Sequence, residues 1–327
     1  MTLSLPIRPR RNRKSPVTRG FMRETRLHTD NLVLPLFIHA GRGAQAINSM
    51  PDCFRLDLDG MLREIEGALK EGVRAFDVFP VIPESQKTSG AEESWNPEGL
   101  VPNAVRQIKR AFPEALVITD VALDPYNADG HDGLVKHGEI LNDETIECLI
   151  KQALCHAEAG ADVVSPSDMM DGRIGAIRYC LDQKGHSDVS ILSYCVKYAS
   201  ALYNPFRDAL DSAPRFGDKK TYQMDPGNAR EALREVTLDE GEGADILMVK
   251  PATFFLDVIR LVRENTALPV AAYHVSGEYS MLKAAALNGW IDERQLVLEA
   301  LTSIKRAGAE MIFTYYARQA ARWLREV

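Results

Sequence analysis

The feature that most constrains this chain is a regular alternation of short apolar runs with longer stretches of helical period. From about residue 32, eight β-leaning runs follow one another: Leu32–His39, Arg74–Val81, Leu116–Leu123, Asp162–Asp168, Ser190–Lys197, Ile246–Ala252, Val270–Ser276 and Met311–Ala317. Between them the apolar residues recur near every 3.6 positions, over 58–71, 99–112, 142–159, 172–183, 228–242, 253–266 and 292–307, with a short helix expected around 277–288. Several of these stretches stop at a glycine just before the next run, as at Gly72, Gly160 and Gly308. A near-continuously apolar strand needs cover on both faces, which parallel strands flanked by helices have. Eight such units predict a closed parallel TIM (β/α)8 barrel over residues 31–327, preceded by an N-terminal arm over residues 1–30. An open doubly wound sheet is the alternative, but no glycine-rich fingerprint follows the first run.

Composition removes several function classes. The 327 residues are 45% hydrophobic and 26% charged with a net charge of −7, the balance of a globular enzyme. A mildly acidic chain lacks the basic surface that counterion release from nucleic acid requires. No apolar run reaches the roughly 18 residues of a membrane span, so no membrane partner is expected. Five scattered cysteines without a CxxC pair suit free thiols in a reducing cytoplasm. The basic segment from Arg8 to Pro16 reads as an extended arm that packs on a neighbouring subunit, or else as a disordered tail.

In a barrel of this kind chemistry sits at the C-terminal ends of the strands. Two successive runs end there on lysine, at Lys197 and Lys250. Two ammonium groups in one buried pocket depress each other's pKa, and burial adds to that. A neutral nucleophilic amine then becomes accessible near neutral pH, as Schiff-base chemistry on carbonyl substrates needs. Ser276 and Tyr315, at the ends of the seventh and eighth runs, either hold a substrate carboxylate or only cap strand ends. The long connection from Tyr198 to about Asn228 carries Arg207, Arg215, Lys219 and Lys220 among aromatics, which suits a lid over an anionic substrate or a solvated loop. The acidic turn with Asp120, Asp124, Asp129 and Asp132 suits either a hard divalent ion such as Mg²⁺ or an ordinary Asp/Gly-rich turn. Asp168 is placed to steer proton transfer beside the lysines.

These residues stand in segments that resemble one family densely: Ser165-Pro-Ser-Asp-Met-Met-Asp-Gly-Arg173, Lys197-Tyr-Ala-Ser200, Pro205-Phe-Arg-Asp208, Gly217-Asp-Lys-Lys-Thr-Tyr-Gln-Met224, Met248-Val-Lys-Pro251 and Val275-Ser-Gly-Glu-Tyr279. The chain is similar to the porphobilinogen synthases, or 5-aminolevulinate dehydratases, from Arg10 to Tyr315. The resemblance implies condensation of two 5-aminolevulinate molecules into porphobilinogen in tetrapyrrole (haem) synthesis, by a homo-octamer. It implies that Lys250 holds the first substrate as a Schiff base, its carboxylate bound by Ser276 and Tyr315. Lys197 is then the second lysine, Arg207, Lys219 and Gln223 are lid residues on the other carboxylate, and Asp120 and Ser167 are pocket groups. Where zinc-dependent members carry three cysteines this chain has Ala122, Asp124 and Asp132, so no catalytic Zn²⁺ is expected. The turn resembles the magnesium-dependent, plant-type branch, with Glu235 at the position of a regulatory Mg²⁺ ligand. Thr253-Phe-Phe255 and His274 depart from the usual pattern at the pocket edge. A class I aldolase and an inactive barrel serving as an assembly module are the rival readings.

Overall fold

The computed structural model describes residues 5–212 and 214–326. Eight strands form the barrel: β1 (Leu32–His39), β2 (Ala75–Val81), β3 (Leu116–Val121), β4 (Val163–Pro166), β5 (Ser190–Lys197), β6 (Ile246–Lys250), β7 (Val270–His274) and β8 (Met311–Thr314). Each pairs in parallel with the next, and β8 pairs with β1 through Ile312 opposite Leu32 and Phe313 opposite Val33, which closes the sheet on itself. The alternation read from the sequence is therefore a TIM barrel. A short antiparallel pair, Gln45–Ala46 with Phe54–Leu56, extends the edge beside β1.

The α-helices in chain order are α1 (Pro16–Met22), α2 (Leu58–Lys70), α3 (Leu100–Ala111), α4 (Asp143–Glu158), α5 (Arg173–Gln183), α6 (Asn204–Leu210), α7 (Arg230–Gly241), α8 (Leu256–Asn265), α9 (Ser276–Leu287), α10 (Glu293–Ala307) and α11 (Ala317–Arg325). Local chemistry sets their ends and faces. In α2 the Asp57 carboxylate caps the first turn by accepting from the Gly60 amide at 2.8 Å, and Met61, Ile65 and Ala68 form the buried stripe. In α3, Val101, Ala104, Val105 and Ile108 do the same. Truncating fully buried Ile65 to Ala costs about 2–5 kcal/mol, because the barrel wall cannot collapse into the gap.

Three features depart from the reading above. Five strands, β3, β4, β6, β7 and β8, end two or three residues before the apolar runs do. Ser276 opens α9, and Tyr315 lies in the turn between β8 and α11, so neither hydroxyl is on a strand. An antiparallel hairpin, Leu134–Lys136 with Glu139–Leu141, turns at His137 and Gly138, which both take the positive φ of a tight two-residue turn. Helix α11 buries Ala317, Ala320 and Ala321, residues too small to register as an apolar stripe.

Candidate active site

Strand register creates the site. Lys250, the last residue of β6, is the direct cross-strand partner of Lys197, the last residue of β5. Both side chains are buried and line one cavity with Asp120, Asp124, Asp132, Ser167, Arg207, Lys219 and Gln223, roofed by Phe79, Tyr203 and Phe206. The cavity is small, about 30 Å³. Seven of the ten residues after the two lysines in the sequence-based set are thus brought together. Ser276 stands one contact behind, at Phe206; Tyr315 lines a separate cleft with Asp52, Cys53 and Tyr279 and meets the Lys250 surroundings through Tyr273; Glu235 lies elsewhere.

Lys250 sits in an aromatic box. Its Nζ is 4.6 Å from the Tyr273 ring centroid, 4.9 Å from Tyr194, 5.1 Å from Phe206 and 5.3 Å from Tyr203. Burial, and then the charge of Lys197, push its pKa from the ordinary lysine range down to about 7, against the pull of Asp120, Asp77 and Asp132. The amine is thereby free to attack a carbonyl near neutral pH. Lys197 Nζ donates to the Ser167 carbonyl and lies 3.8 Å from Asp132. The turn after Lys250 is pinned by Glu278, which accepts from the amides of Thr253, Ala252 (3.4 Å) and Val275 (2.7 Å).

Asp124 and Asp132 share the ammonium of Lys219, each at 3.2 Å. Burial alone would raise Asp132, but Lys197 and Lys219 outweigh it and hold the carboxyl below its usual range. Asp124 is pushed up by burial despite Lys219, so Asp132 is the principal anion of the trio. Burial would lower Lys219, yet the two carboxylates raise it. Asp120 rises to about 7 through burial and then the nearby Asp124. Asp168 rises to about 6, burial outweighing the buried Arg173 guanidinium, and accepts from the Met170 amide at 2.7 Å.

The connection after β5 covers the cavity. Its backbone zips to strand ends through the Met224 amide on the Lys197 carbonyl (3.0 Å) and the Ala199 amide on Met224 (2.8 Å). Arg55 donates to the carbonyls of Ala209 (2.8 Å) and Asp208 (2.6 Å), and His131 hydrogen-bonds Tyr222 and the Phe216 carbonyl, both at 3.1 Å. Within this cover Ser276 Oγ accepts from the Phe206 amide at 3.0 Å, which ties α9 to α6. Tyr315 hydrogen-bonds Tyr273 at 3.1 Å between the hydroxyls. Sequence reasoning missed Asp77 and Tyr194, and it placed Tyr203 only among the lid aromatics and Tyr273 only at a strand end, not around Lys250; Asp77, a carboxylate inside an apolar run, carried a signal.

The metal question divides by place. With Lys219 between them, Asp124 and Asp132 do not fit a divalent ion in this arrangement, and no step below is routed through one. Among the described residues no three His, Cys, Asp or Glu side chains converge as a ligand cluster. Glu235 is on α7, beside Asp171, Arg173 and Asp239 in a separate cleft. Burial, then Asp239, raises its carboxyl to about 7, and the cleft also carries Arg230 and Arg234.

A closed (β/α)8 barrel with paired lysines under a cationic cover defines a class: barrel enzymes that bind carbonyl substrates through lysine. The model of the family described as "Delta-aminolevulinic acid dehydratase" matches residues 6–323. "Delta-aminolevulinic acid dehydratase, chloroplastic" of Physcomitrium patens is 59% identical over 324 residues, 98% of this chain and 75% of that protein. "Delta-aminolevulinic acid dehydratase 1, chloroplastic" of Arabidopsis thaliana is 56% identical over 98% of this chain and 75% of its own length. The crystal structure of the Toxoplasma gondii ME49 dehydratase in complex with the product porphobilinogen superposes with a TM-score of 0.98 at 52% identity, over 99% of this chain and 93% of that one. The chain belongs to the delta-aminolevulinic acid dehydratase (porphobilinogen synthase) family.

Proposed function

We propose that the cavity joins two molecules of 5-aminolevulinate into porphobilinogen, with loss of two waters. Lys250 attacks the ketone of the first molecule and holds it as a Schiff base; Lys197 holds the second. Ser276 and Tyr315 bind the carboxylate of the first. Arg207, Lys219 and Gln223 bind that of the second, while Asp120 and Ser167 hold protons and polar groups of the pocket. The observation that carries this reading is the cross-strand pairing of two buried lysines, one of them neutral near pH 7. A class I aldolase would use one lysine and a single ketone, so the second lysine and the cationic lid count against it, and the seven polar groups that converge on the lysines count against an inactive assembly module. Borohydride trapping with 5-aminolevulinate, followed by peptide mass spectrometry, tests the assignment: an adduct on Lys250 is expected, and a clean protein that makes no pyrrole overturns it.

Mg²⁺ is assigned to the Glu235 cleft, where a single carboxylate with neighbouring acids suits an ion that keeps most of its waters. No catalytic Zn²⁺ is proposed, since Ala122, Asp124 and Asp132 offer no thiolate. Residues 1–30 are assigned as an arm and 31–327 as the catalytic barrel. Helix α1 buries none of its residues, and Ile7 and Phe21 are 83% and 80% exposed, which supports packing of the arm on another copy in a homo-octamer. Among the described residues no helix is long and apolar enough to cross a membrane. The five cysteines are free, which suits a reducing compartment. The plant relatives are named chloroplastic, so a plastid stroma stands beside the cytoplasm expected from the sequence.

A further inference from the structure

The floor of the barrel beneath Lys250 carries an acid that the reading above leaves unused. Asp77 lies on β2, opposite Pro35 of β1 and Ile118 of β3. It is two residues before Phe79, which lines the cavity, so strand alternation points both side chains into the lumen, Asp77 one layer lower. Its side chain is fully buried, and neither carboxyl oxygen has a hydrogen-bond partner among the described residues. The Tyr194 hydroxyl and the Val78 amide are near enough to act on the carboxyl, though outside hydrogen-bond geometry, and the rings of Tyr194 and Tyr273 are the same ones that face Lys250 Nζ. The titratable groups that act on it are Asp120 from β3, Tyr194 from β5, Lys250 from β6, Tyr273 from β7 and Tyr315 after β8. A buried carboxyl without a partner is unfavourable when charged, so it rests neutral, and a catalytic role is one reason for keeping such a group.

We propose that Asp77 is the counter-carboxyl of the Lys250 Schiff base: neutral at rest, it yields its proton as the imine forms and then balances the iminium charge. The step conserves atoms and charge. The neutral amine of Lys250 adds to the ketone, the carbinolamine C–O bond breaks, and its hydroxyl leaves as water with the proton released by Asp77. The products are a protonated imine and a carboxylate in place of a neutral amine and a neutral acid, so the barrel interior gains no net charge. Burial, which raises Asp77 well above the usual carboxylate range, is consistent with the neutral resting form.

The proposal rests on Lys250 as the Schiff-base lysine, and its test separates the two. Cyanoborohydride reduces the protonated imine, so its trapping of 5-aminolevulinate on Lys250 is followed from pH 6 to 10 in the full-length enzyme. If the wild-type protein forms no adduct, the Lys250 assignment itself fails. If it does, Asp77→Asn is expected to slow imine formation about tenfold or more and to move the alkaline limb of trapping down by about one pH unit or more, since the iminium has lost its counter-charge. Asp77→Leu removes a buried polar group and so should fold at least as well. It serves where the Asn variant does not fold, with the same shift expected. A folded Asn or Leu variant with the wild-type alkaline limb overturns the proposal, and marks Asp77 as a packing residue only.

Discussion

Lys250 and Lys197 are register partners on adjacent parallel strands, yet their surroundings differ: Lys250 is boxed by four aromatic rings, whereas Lys197 donates to the Ser167 carbonyl and faces Asp132. The difference assigns the first nucleophile. Burial and the neighbouring cation depress the Lys250 amine.

A pH profile follows from this asymmetry. Below about 7 Lys250 is an ammonium and cannot attack, so imine formation should rise about tenfold per unit toward pH 7 and level off above it. Lys197→Met removes the cation that helps to hold Lys250 down, so its pKa should rise and the acid limb of trapping should move to higher pH. Lys250→Met should abolish both trapping and pyrrole formation with an intact fold. An active Lys250→Met variant, or an unmoved limb in Lys197→Met, would contradict the assignment.

Lys219 is a second test, because two carboxylates depend on its charge. Lys219→Met leaves Asp124 and Asp132 buried together without a cation, which should cost about 3–5 kcal/mol of stability. Adding Asp124→Asn to that variant should restore much of the loss. Thermal unfolding of the single and double variants reads this directly; equal stabilities would show that the trio is already solvated. The single variant should also raise KM for the substrate on the Lys197 side.

Much of this is legible in the sequence, and the remainder has physical causes. Strand runs ending on Lys197 and Lys250 announce themselves, because a charge that closes an apolar strand in a barrel has only the rim to go to. That Lys219 lies between Asp124 and Asp132 was not legible, since 87 residues separate Lys219 from Asp132 and only the folded lid brings them together. Tyr194 and Tyr273 read as ordinary strand aromatics; their role depends on which face of the pleat they take. Helix α11 was missed because it lies past the last apolar run and its buried face is alanine, which offers little apolar surface even at helical period.

The two hydroxyls behind the cavity wall should behave as binding groups. Ser276→Ala and Tyr315→Phe each remove a donor to a substrate carboxylate, a hydrogen bond of about 1.5–3 kcal/mol when the acceptor is charged. A loss of roughly 10- to 100-fold in kcat/KM is expected for each, mostly as raised KM, with Lys250 still trapped at saturating substrate. Steady-state kinetics decide the matter. A fall in kcat alone would mean instead that the Ser276 contact with the Phe206 amide shapes the lid.

Glu235 carries the magnesium assignment away from the chemistry, which makes it separable. Mg²⁺ added to chelator-treated protein should raise the unfolding temperature, and Glu235→Gln should remove that shift while Lys250 remains trappable. Equal Mg²⁺ shifts in the two proteins would take the ion out of this cleft.

The arm offers the last prediction. Leu5, Ile7, Val17, Phe21 and Met22 are exposed, and the 3₁₀ turn Pro9–Arg13 and α1 bury no residue against their own barrel. Exposed apolar side chains in a row on a segment that contributes nothing to its own core are stabilised only by covering them, and a second barrel is a partner always present at matched concentration. Removing residues 1–23 should therefore leave helix content per barrel and the Lys250 site intact while the sedimenting mass falls to smaller assemblies. If the truncated protein sediments as the full chain does, the arm is not what joins the subunits, and the interface must be sought on another exposed apolar surface, such as that of Leu287 and Trp290.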